Sequence, residues 1–148
     1  MQQLIFAKPP IPGKVKTRLA AFTGNQFATD LYRAILEDVL SAFCFPSVNI
    51  PLSLYLTEED HTGYFANRFP ELPIYLQSGS DLGMRMGKAF LESFARWPGQ
   101  PILLTGSDIP SYSPDLARQA AALLNEADCV LIPTRDGGYC TIGFRDPG

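Results

Sequence analysis

The sequence predicts a single α/β domain over residues 1–148, built as a three-layer sandwich with a mostly parallel sheet. Short apolar runs, typical of strands buried on both faces, alternate along the chain with segments whose apolar residues recur at helical spacing. A length of 148 residues and a hydrophobic content of 46% are enough for one core, so the domain needs neither a metal nor a disulfide for stability.

The first half of the chain is predicted to contain three strands and one long helix. Residues 4–7 (Leu-Ile-Phe-Ala) are a continuous apolar run and predict the first strand. Apolar residues then recur at helical spacing from Phe27 to Ala42, which predicts a long amphipathic helix. Leucines alternate with other residues over 50–56 and predict a second strand, and residues 73–77 are expected to form a third.

The second half is predicted to contain two helices and three strands. A helical stripe covers residues 82–97 and ends before a Pro-Gly pair. Ser113, Pro114 and Asp115 provide an N-cap, a proline at the first helical position and an acid in the first turn of a helix that extends to about residue 126. The strands are predicted over residues 101–105, 129–132 and 139–144. The alternation of strands and helices along the chain is typical of an α/β sandwich.

A basic loop, residues 8–18, follows the first predicted strand. It contains four cations and no acid: Lys8, Lys14, Lys16 and Arg18. Residues 1–29 have a net charge of +4 and the rest of the chain −7, so the positive charge is local. Three prolines fix their φ angles and Gly13 tolerates conformations closed to other residues, so the loop is stiff with one permissive joint. Such a loop suits phosphate, although the same charge pattern is also typical of a solvated basic face.

Two further polar loops follow predicted strands, over residues 105–110 and 134–139. Ligands of open parallel sheets bind beyond the carboxyl ends of the strands, so these loops and the basic loop are expected to converge. The convergence of cations and carboxylates fits either direct salt bridges or a phosphate held together with Mg²⁺. Asp108 is the first candidate for a magnesium ligand, ahead of a loop-capping role. Asp136 precedes two glycines and equally fits an ordinary turn.

Several function classes are disfavoured by the sequence. A net charge of −3 argues against general nucleic-acid binding, and no stretch approaches the length of a membrane span. The start of the chain does not resemble a signal peptide, so a cytoplasmic location is expected. The single histidine, His61, lies in a polar run, and no Ser-His-Asp or Cys-His set is evident, so covalent catalysis is not expected.

Four segments contain the most specific motifs. They are F-A-K-P-P-I-P-G-K-V-K-T-R-L (residues 6–19), Q-S-G-S-D-L-G-M-R-M (77–86), L-L-T-G-S-D-I-P (103–110) and D-G-G-Y (136–139). In the second segment a strand passes into a helix, whose exposed amides can receive an anion or the edge of a base; an N-cap by Ser80 or Asp81 is the alternative. Together the segments resemble the uncharacterised, glycosyltransferase-labelled bacterial family of transferase-like proteins in the nucleotide-diphospho-sugar transferase superfamily. The resemblance covers Leu4 to Arg145 and extends in fold to molybdenum-cofactor and phospholactate guanylyltransferases.

The resemblance implies a GT-A-like fold and a set of site residues. Phosphate binding would fall to the basic loop, namely Lys8, Gly13, Lys14, Lys16 and Arg18, and Mg²⁺ (or Mn²⁺) to Asp108. The nucleoside would lie near Gly79, Asp81 and Gly83, and the acceptor side near Asp136, Gly137 and Gly138. Members of the family usually continue with another helix and strand, so the fold is expected to be short at its C-terminus.

Three functions remain open from the sequence. The first is nucleotidyl transfer from a nucleoside triphosphate to a small acceptor, with Lys16, Arg18 and Asp108 as the catalytic residues and pyrophosphate as the leaving group. The second is glycosyl transfer from a nucleotide-diphospho-sugar, for which fewer cations suffice. The third is nucleotide binding without catalysis. The residues do not indicate which base or acceptor is used, nor an oligomeric state.

Overall fold

The computed structural model describes residues 1–148 and contains a six-stranded sheet and five helices. The strands are β1 (Gln2–Ala7), β2 (Leu52–Leu56), β3 (Ile74–Leu76), β4 (Ile102–Gly106), β5 (Cys129–Pro133) and β6 (Tyr139–Phe144). The helices are α1 (Thr17–Thr23), α2 (Asn25–Cys44), α3 (Tyr64–Arg68), α4 (Leu82–Arg96) and α5 (Pro114–Leu123). None of these helices has the length and apolarity needed to cross a membrane.

The strands lie in the order β3-β2-β1-β4-β6-β5. β1 is in the interior and pairs in parallel with both β2 and β4, whereas β6 is antiparallel to its neighbours β4 and β5. A mostly parallel sheet with the first strand inside it was predicted from the apolar run at residues 4–7, and the prediction is confirmed. Strands buried on both faces lack the polar alternation of edge strands, which is why this run is informative.

Side chains of β1 alternate between two cores. Ile5 and Ala7 pack in the core formed with α2 and α5, whereas Leu4 and Phe6 pack in the core formed with α4. The alternation fixes the register of the strand, because a shift by one residue would exchange the two sets of side chains. The sheet is therefore the middle of three layers, as predicted.

The helix starts follow the sequence in some places and depart from it in others. Ser113 caps α5 by accepting a hydrogen bond from the backbone N–H of Leu116, and Pro114 begins the helix, as predicted. The short helices α1 and α3 were not located by periodicity, because seven and five residues are too few to show an apolar stripe. Since α1 begins at Thr17, the predicted basic loop in fact ends in a helical turn that includes Arg18.

The carboxyl ends of β1 and β4 lie side by side. Backbone pairing with β1 continues past the end of β4, where the N–H of Ser107 donates to the carbonyl of Phe6 at 3.0 Å, and past the end of β2, where the N–H of Thr57 donates to the carbonyl of Ala7 at 3.1 Å. The basic loop and the loop after β4 therefore leave the sheet at the same place. β5 is separated from β4 by β6, so the loop that contains Asp136 leaves the sheet at its border strand.

Candidate functional site

A cleft with a volume of about 390 Å³ lies at the carboxyl ends of the strands β1 to β4. The basic loop, α2 and the first turn of α4 complete its walls. The charged residues on these walls are Lys8, Lys16, Arg85 and Asp108. Three cations and one carboxylate give the cleft a positive balance in a protein of negative net charge. The cleft is therefore suited to an anionic ligand.

Lys16 and Asp108 form an ion pair in the cleft. The lysine Nζ lies 2.7 Å from one carboxylate oxygen and 2.9 Å from the other. The lysine side chain is 18% exposed and the aspartate side chain 52% exposed, so the pair is open to solvent on the carboxylate side. The direct salt bridge that the sequence left open as an alternative is therefore present at this point.

Lys14 also has a carboxylate partner. Its Nζ lies 2.7 Å from Glu58, which follows β2. Both side chains are about half exposed, and such surface pairs contribute little to stability. Lys14 is not among the residues that line the cleft, so its predicted contact with phosphate stays a prediction.

The backbone of Lys16 has a left-handed conformation. Its φ and ψ angles are 45° and 44°, and it is the N-cap of α1 without a capping side-chain hydrogen bond. Non-glycine residues in this region cost on the order of 1 kcal/mol and are concentrated at functional sites. This strained residue is the one whose ammonium contacts Asp108.

Tyr32 connects three walls of the cleft. Its hydroxyl accepts a hydrogen bond from the N–H of Lys8 at 2.9 Å and donates to the Lys8 carbonyl at 3.1 Å. The Ser107 hydroxyl, 3.0 Å away, must then be the donor of the third bond, because a phenol has one proton. Burial raises the pKa of Tyr32, and the negative charge of Asp108 adds to the effect, so the phenol stays protonated.

The loop that contains Asp108 is also fixed by a buried side chain. The hydroxyl of Tyr112 donates a hydrogen bond to Gln3 in β1 at 2.7 Å, and the Gln3 side chain is fully buried. The loop after β4 is thus attached to the sheet on both sides of Asp108, by Ser107 and by Tyr112. This attachment holds the Asp108 carboxylate at the mouth of the cleft.

Residues of the basic loop differ in their distance from the cleft. Lys8 and Lys16 line it, whereas Gly13 and Arg18 do not. Gly13 has a φ of +85°, which confirms the permissive joint predicted for it. Arg18 is exposed in the first turn of α1, and its predicted phosphate contact stays a prediction.

The Q-S-G-S-D-L-G-M-R-M segment (residues 77–86) contributes different residues from those predicted. Gly79, Asp81 and Gly83 do not line the cleft, whereas Gln77, Leu82 and Arg85 do. The Asp81 carboxylate accepts a hydrogen bond from the N–H of Met84 at 2.8 Å, so the capping alternative describes its contacts. The predicted contacts of these three residues with a nucleoside stay predictions.

Asp136 lies in a turn at the sheet border. Its carboxylate accepts hydrogen bonds from the hydroxyl of Thr134 and from the N–H of Gly138, and these bonds, that from Thr134 foremost, lower its pKa. Gly137 has a φ of +90°, as such a turn requires. None of the residues 136–138 lines the cleft. Their predicted place on the acceptor side stays a prediction.

The fit of the site to Mg²⁺ depends on one carboxylate. Asp108 is exposed at the mouth of the cleft, and the chain has no group of three or more His, Cys, Asp or Glu side chains that could hold a metal ion. Mg²⁺ is commonly held by one or two carboxylates together with substrate phosphates, rather than by an all-protein cage. The donor set therefore fits a magnesium ion that is shared with a phosphate ligand.

Sequence reasoning missed Tyr32, Ser107 and Arg85 as residues of the site. Tyr32 occurs in the predicted long helix, where its ring fits the apolar stripe and its hydroxyl gives no separate signal. Arg85 belongs to the segment 77–86, but one cation in a helix is ordinarily a solvated residue. Only the fold brings Tyr32 and Arg85 to the carboxyl ends of β1 and β4, whereas Ser107 follows β4 directly in the sequence.

A family model described as "Uncharacterized protein conserved in bacteria (DUF2064)" matches residues 42–148. Among solved structures, a "putative nucleotide-diphospho-sugar transferase" from Desulfovibrio desulfuricans G20 is 36% identical, with a TM-score of 0.87. The match covers 98% of this chain and 64% of that protein, so the chain spans less than two thirds of its length.

Two further structures are similar in fold at low identity. A cytidylyltransferase from Leptospira borgpetersenii serovar Hardjo-bovis (strain JB197) has a TM-score of 0.59 at 16% identity, covering 97% of this chain and 59% of that one. A 4-diphosphocytidyl-2C-methyl-D-erythritol synthase from Anaerococcus prevotii DSM 20548 has a TM-score of 0.56 at 12% identity, covering 97% and 70%. No curated protein matches the chain. The fold is that of the nucleotide-diphospho-sugar transferases, as the sequence motifs predicted.

Proposed function

The chain belongs to the DUF2064 family of uncharacterized bacterial proteins, and we propose that it is a magnesium-dependent transferase acting on a nucleotide-activated substrate. The reaction we propose is nucleotidyl transfer from a nucleoside triphosphate to a small acceptor, with release of pyrophosphate. The observation that carries the proposal is the Lys16–Asp108 pair, which places a cation and a candidate metal ligand together in a cleft at the carboxyl ends of parallel strands.

Lys16 is the side chain placed to bind phosphate. Its ammonium has three donors and uses two contacts on Asp108, so it can contact a phosphate oxygen while it stays beside the carboxylate. During transfer, negative charge grows on the leaving pyrophosphate, and a cation at that position stabilises the transition state. The hydroxyls of Tyr32 and Ser107 hold the start of the basic loop against the loop after β4, which keeps the two charged groups in place.

Asp108 is the residue that would hold Mg²⁺, or Mn²⁺, together with the phosphates of the nucleotide. A bound divalent ion would supply charge neutralisation at the phosphate oxygens. Because carboxylate and phosphate repel each other, Asp108 without a cation would oppose nucleotide binding. The ammonium of Lys16, which lies beside Asp108, reduces this repulsion when no metal is bound.

A second candidate function is glycosyl transfer from a nucleotide-diphospho-sugar. The observation that favours it is the 36% identity with the Desulfovibrio protein, whose description names a nucleotide-diphospho-sugar transferase. In this reaction the nucleoside diphosphate is the leaving group, so the product released distinguishes the two candidates. The positive balance of the cleft favours the more highly charged triphosphate.

The test combines binding with turnover. Thermal shifts are measured with each nucleoside triphosphate and with nucleotide-diphospho-sugars, with Mg²⁺ and with chelator. A ligand at about a hundred times its Kd adds roughly 2.7 kcal/mol of stability. The bound ligands are then incubated with a library of small hydroxyl and phosphate acceptors. Pyrophosphate release supports nucleotidyl transfer, release of nucleoside diphosphate supports glycosyl transfer, and binding without either product indicates a non-catalytic protein. Absence of any nucleotide binding overturns the proposal.

A further inference from the structure

We propose that Arg85 binds the anionic part of the nucleotide from the wall of the cleft formed by α4, and that Gly79 is the residue that positions it; this inference rests on the proposed function. The group that Arg85 would bind is the diphosphate or triphosphate of a nucleotide. Neither the family description nor the names of the similar proteins assign a role to either residue.

Besides Lys16, the cleft contains the cations Lys8 and Arg85, and neither of these two makes an ion pair with a carboxylate. Lys16 is already paired with Asp108, and Lys14, outside the cleft, is paired with Glu58. Arg85 lines the same cleft and makes no ion pair with any carboxylate of the chain. A partly buried guanidinium without an anionic partner is therefore available to a ligand.

The orientation of Arg85 is fixed by a single backbone contact. Its Nε donates a hydrogen bond to the carbonyl of Gly79 at 3.1 Å. A guanidinium has five N–H donors, so the four on the terminal nitrogens remain free for a ligand. Arginine binds phosphate through two parallel hydrogen bonds, and a side chain that is already held loses less conformational entropy when the ligand arrives.

Gly79 makes this contact possible because it lies against the first turn of α4. A Cβ atom at residue 79 would be 2.8 Å from the backbone nitrogen of Arg85 and 2.8 Å from the Cβ of Met84, and the φ of Gly79 is +149°. Real Cβ atoms do not approach other atoms so closely, so any side chain would push the segment away from the helix. The hydrogen bond that orients Arg85 would then be lost.

The resulting site has cations on both sides of the ligand. Lys16 and Lys8 belong to the basic loop after β1, whereas Arg85 belongs to α4, which packs on the opposite face of the sheet from α2. A single phosphate ion needs only one of these sides. A chain of two or three phosphates can contact both, so the arrangement favours polyphosphate over monophosphate ligands.

The experiment measures the Kd of inorganic pyrophosphate and, separately, of CTP, each with Mg²⁺, by titration calorimetry. The variants are Arg85→Gln, Arg85→Lys and Gly79→Ala, and Lys88→Gln is the matched control, since Lys88 is a cation of the same helix outside the cleft. We expect Arg85→Gln to raise the Kd at least tenfold, Arg85→Lys to restore part of the loss, and Lys88→Gln to stay within about twofold of wild type.

Gly79→Ala tests the positioning role. Its Kd should rise as in Arg85→Gln, and the double variant should be no weaker than Arg85→Gln alone, because both changes remove the same contact. Additive losses would overturn the role of Gly79. If Gly79→Ala does not fold, the comparison of Arg85→Lys with wild type replaces the double variant. A lysine at residue 85 cannot hydrogen-bond to the Gly79 carbonyl and also bind a phosphate through two parallel hydrogen bonds, as arginine can.

The outcomes separate this inference from the proposed function. The role of Arg85 is overturned if wild type binds pyrophosphate or CTP and Arg85→Gln binds the same ligand with equal affinity. This holds even if pyrophosphate is released in the turnover test. An Arg85-dependent affinity without any transfer supports Arg85 and overturns the transfer reaction. If wild type binds neither pyrophosphate nor CTP, this inference is overturned, because no polyphosphate occupies the cleft.

Discussion

The ammonium of Lys16 lies 2.7 Å and 2.9 Å from the two carboxylate oxygens of Asp108, although the residues are 92 positions apart in the sequence. Their proximity follows from the parallel pairing of β1 with β4, whose carboxyl ends release the two loops at neighbouring positions. The pair neutralises both charges in the free protein. Removal of one partner therefore changes the affinity of the other for ions, and the last prediction below uses this dependence.

The first prediction concerns the left-handed backbone of Lys16. Lys16→Ala and Lys16→Gly both remove the ion pair with Asp108, but only glycine has the φ of 45° without strain. We expect Lys16→Gly to be more stable than Lys16→Ala by about 1 kcal/mol, or about 3 °C in Tm. Thermal unfolding of the two variants measures the difference. Equal stabilities would mean that Lys16 leaves the left-handed region when its side chain is removed.

The second prediction concerns Tyr32. Tyr32→Phe removes the partner of the N–H and the carbonyl of Lys8, so we expect a loss of about 1–3 kcal/mol at pH 7. Burial raises the pKa of Tyr32, so below the ordinary tyrosine value of about 10 the phenol is protonated in both the folded and the unfolded protein. At pH values above this ordinary pKa, the Tyr32 phenol ionises in the unfolded chain before it ionises in the folded protein. Wild type then loses stability that the phenylalanine variant cannot lose.

The difference in the free energy of unfolding between wild type and Tyr32→Phe should therefore shrink as the pH rises above the ordinary tyrosine value of about 10. Urea unfolding of both proteins at pH 7, 10 and 11 measures it, and the other tyrosines, present in both proteins, cancel. A difference that is constant with pH would show that Tyr32 titrates normally in the folded protein.

The sequence is informative where burial leaves a local pattern. The apolar runs at residues 4–7 and 101–105 predict interior parallel strands, and parallel strands place the loops after them together. The meeting of the basic loop with Asp108 could therefore be predicted without a structure. The N-cap at Ser113 could be predicted too, because a cap depends on neighbouring residues alone.

The remaining parts of the site depend on contacts between distant segments. Glu58 pairs with Lys14 across 44 residues, and neither residue indicates the other. In the sequence, Asp81 fits either a helix cap or a binding residue, and Asp136 fits either a turn or a binding residue. Only their hydrogen-bond partners in the structure show the capping contact of Asp81 and the turn contact of Asp136. Gly79 lies close against residues 84 and 85 in the first turn of α4, which is a steric fact that no spacing encodes.

The third prediction concerns the close packing of β6. A Cβ atom on Gly143 would collide with the side chain of Leu103 and would lie 3.0 Å from Val130, so Gly143→Ala should destabilise the protein by about 1–3 kcal/mol. Gly87→Ala is the control, since that residue is helical with nothing within 4 Å of the added atom, and it should stabilise by about 0.5–1 kcal/mol. Chemical denaturation of both variants measures the two shifts. Opposite signs are expected, and a neutral Gly143→Ala would contradict the packing of β6 between β4 and β5.

The last prediction concerns Asp108 as the metal ligand. Asp108→Asn keeps the shape of the side chain but removes the charge that would hold Mg²⁺, so the gain in nucleotide affinity from magnesium should fall by about tenfold, or ~1.4 kcal/mol. Affinity without metal should persist or rise, because the variant no longer repels phosphate and frees the ammonium of Lys16.

Asp136→Asn is the matched control for Asp108→Asn, because it removes an equal charge from a turn outside the cleft. Its effect on magnesium dependence should be small, since its carboxylate accepts hydrogen bonds from Thr134 and Gly138 and contacts no residue of the cleft. Titration calorimetry of both variants with a nucleoside triphosphate, first with Mg²⁺ and then with chelator, measures the two dependences. If Asp108→Asn keeps the full magnesium dependence, the assignment of Asp108 as the metal ligand is wrong.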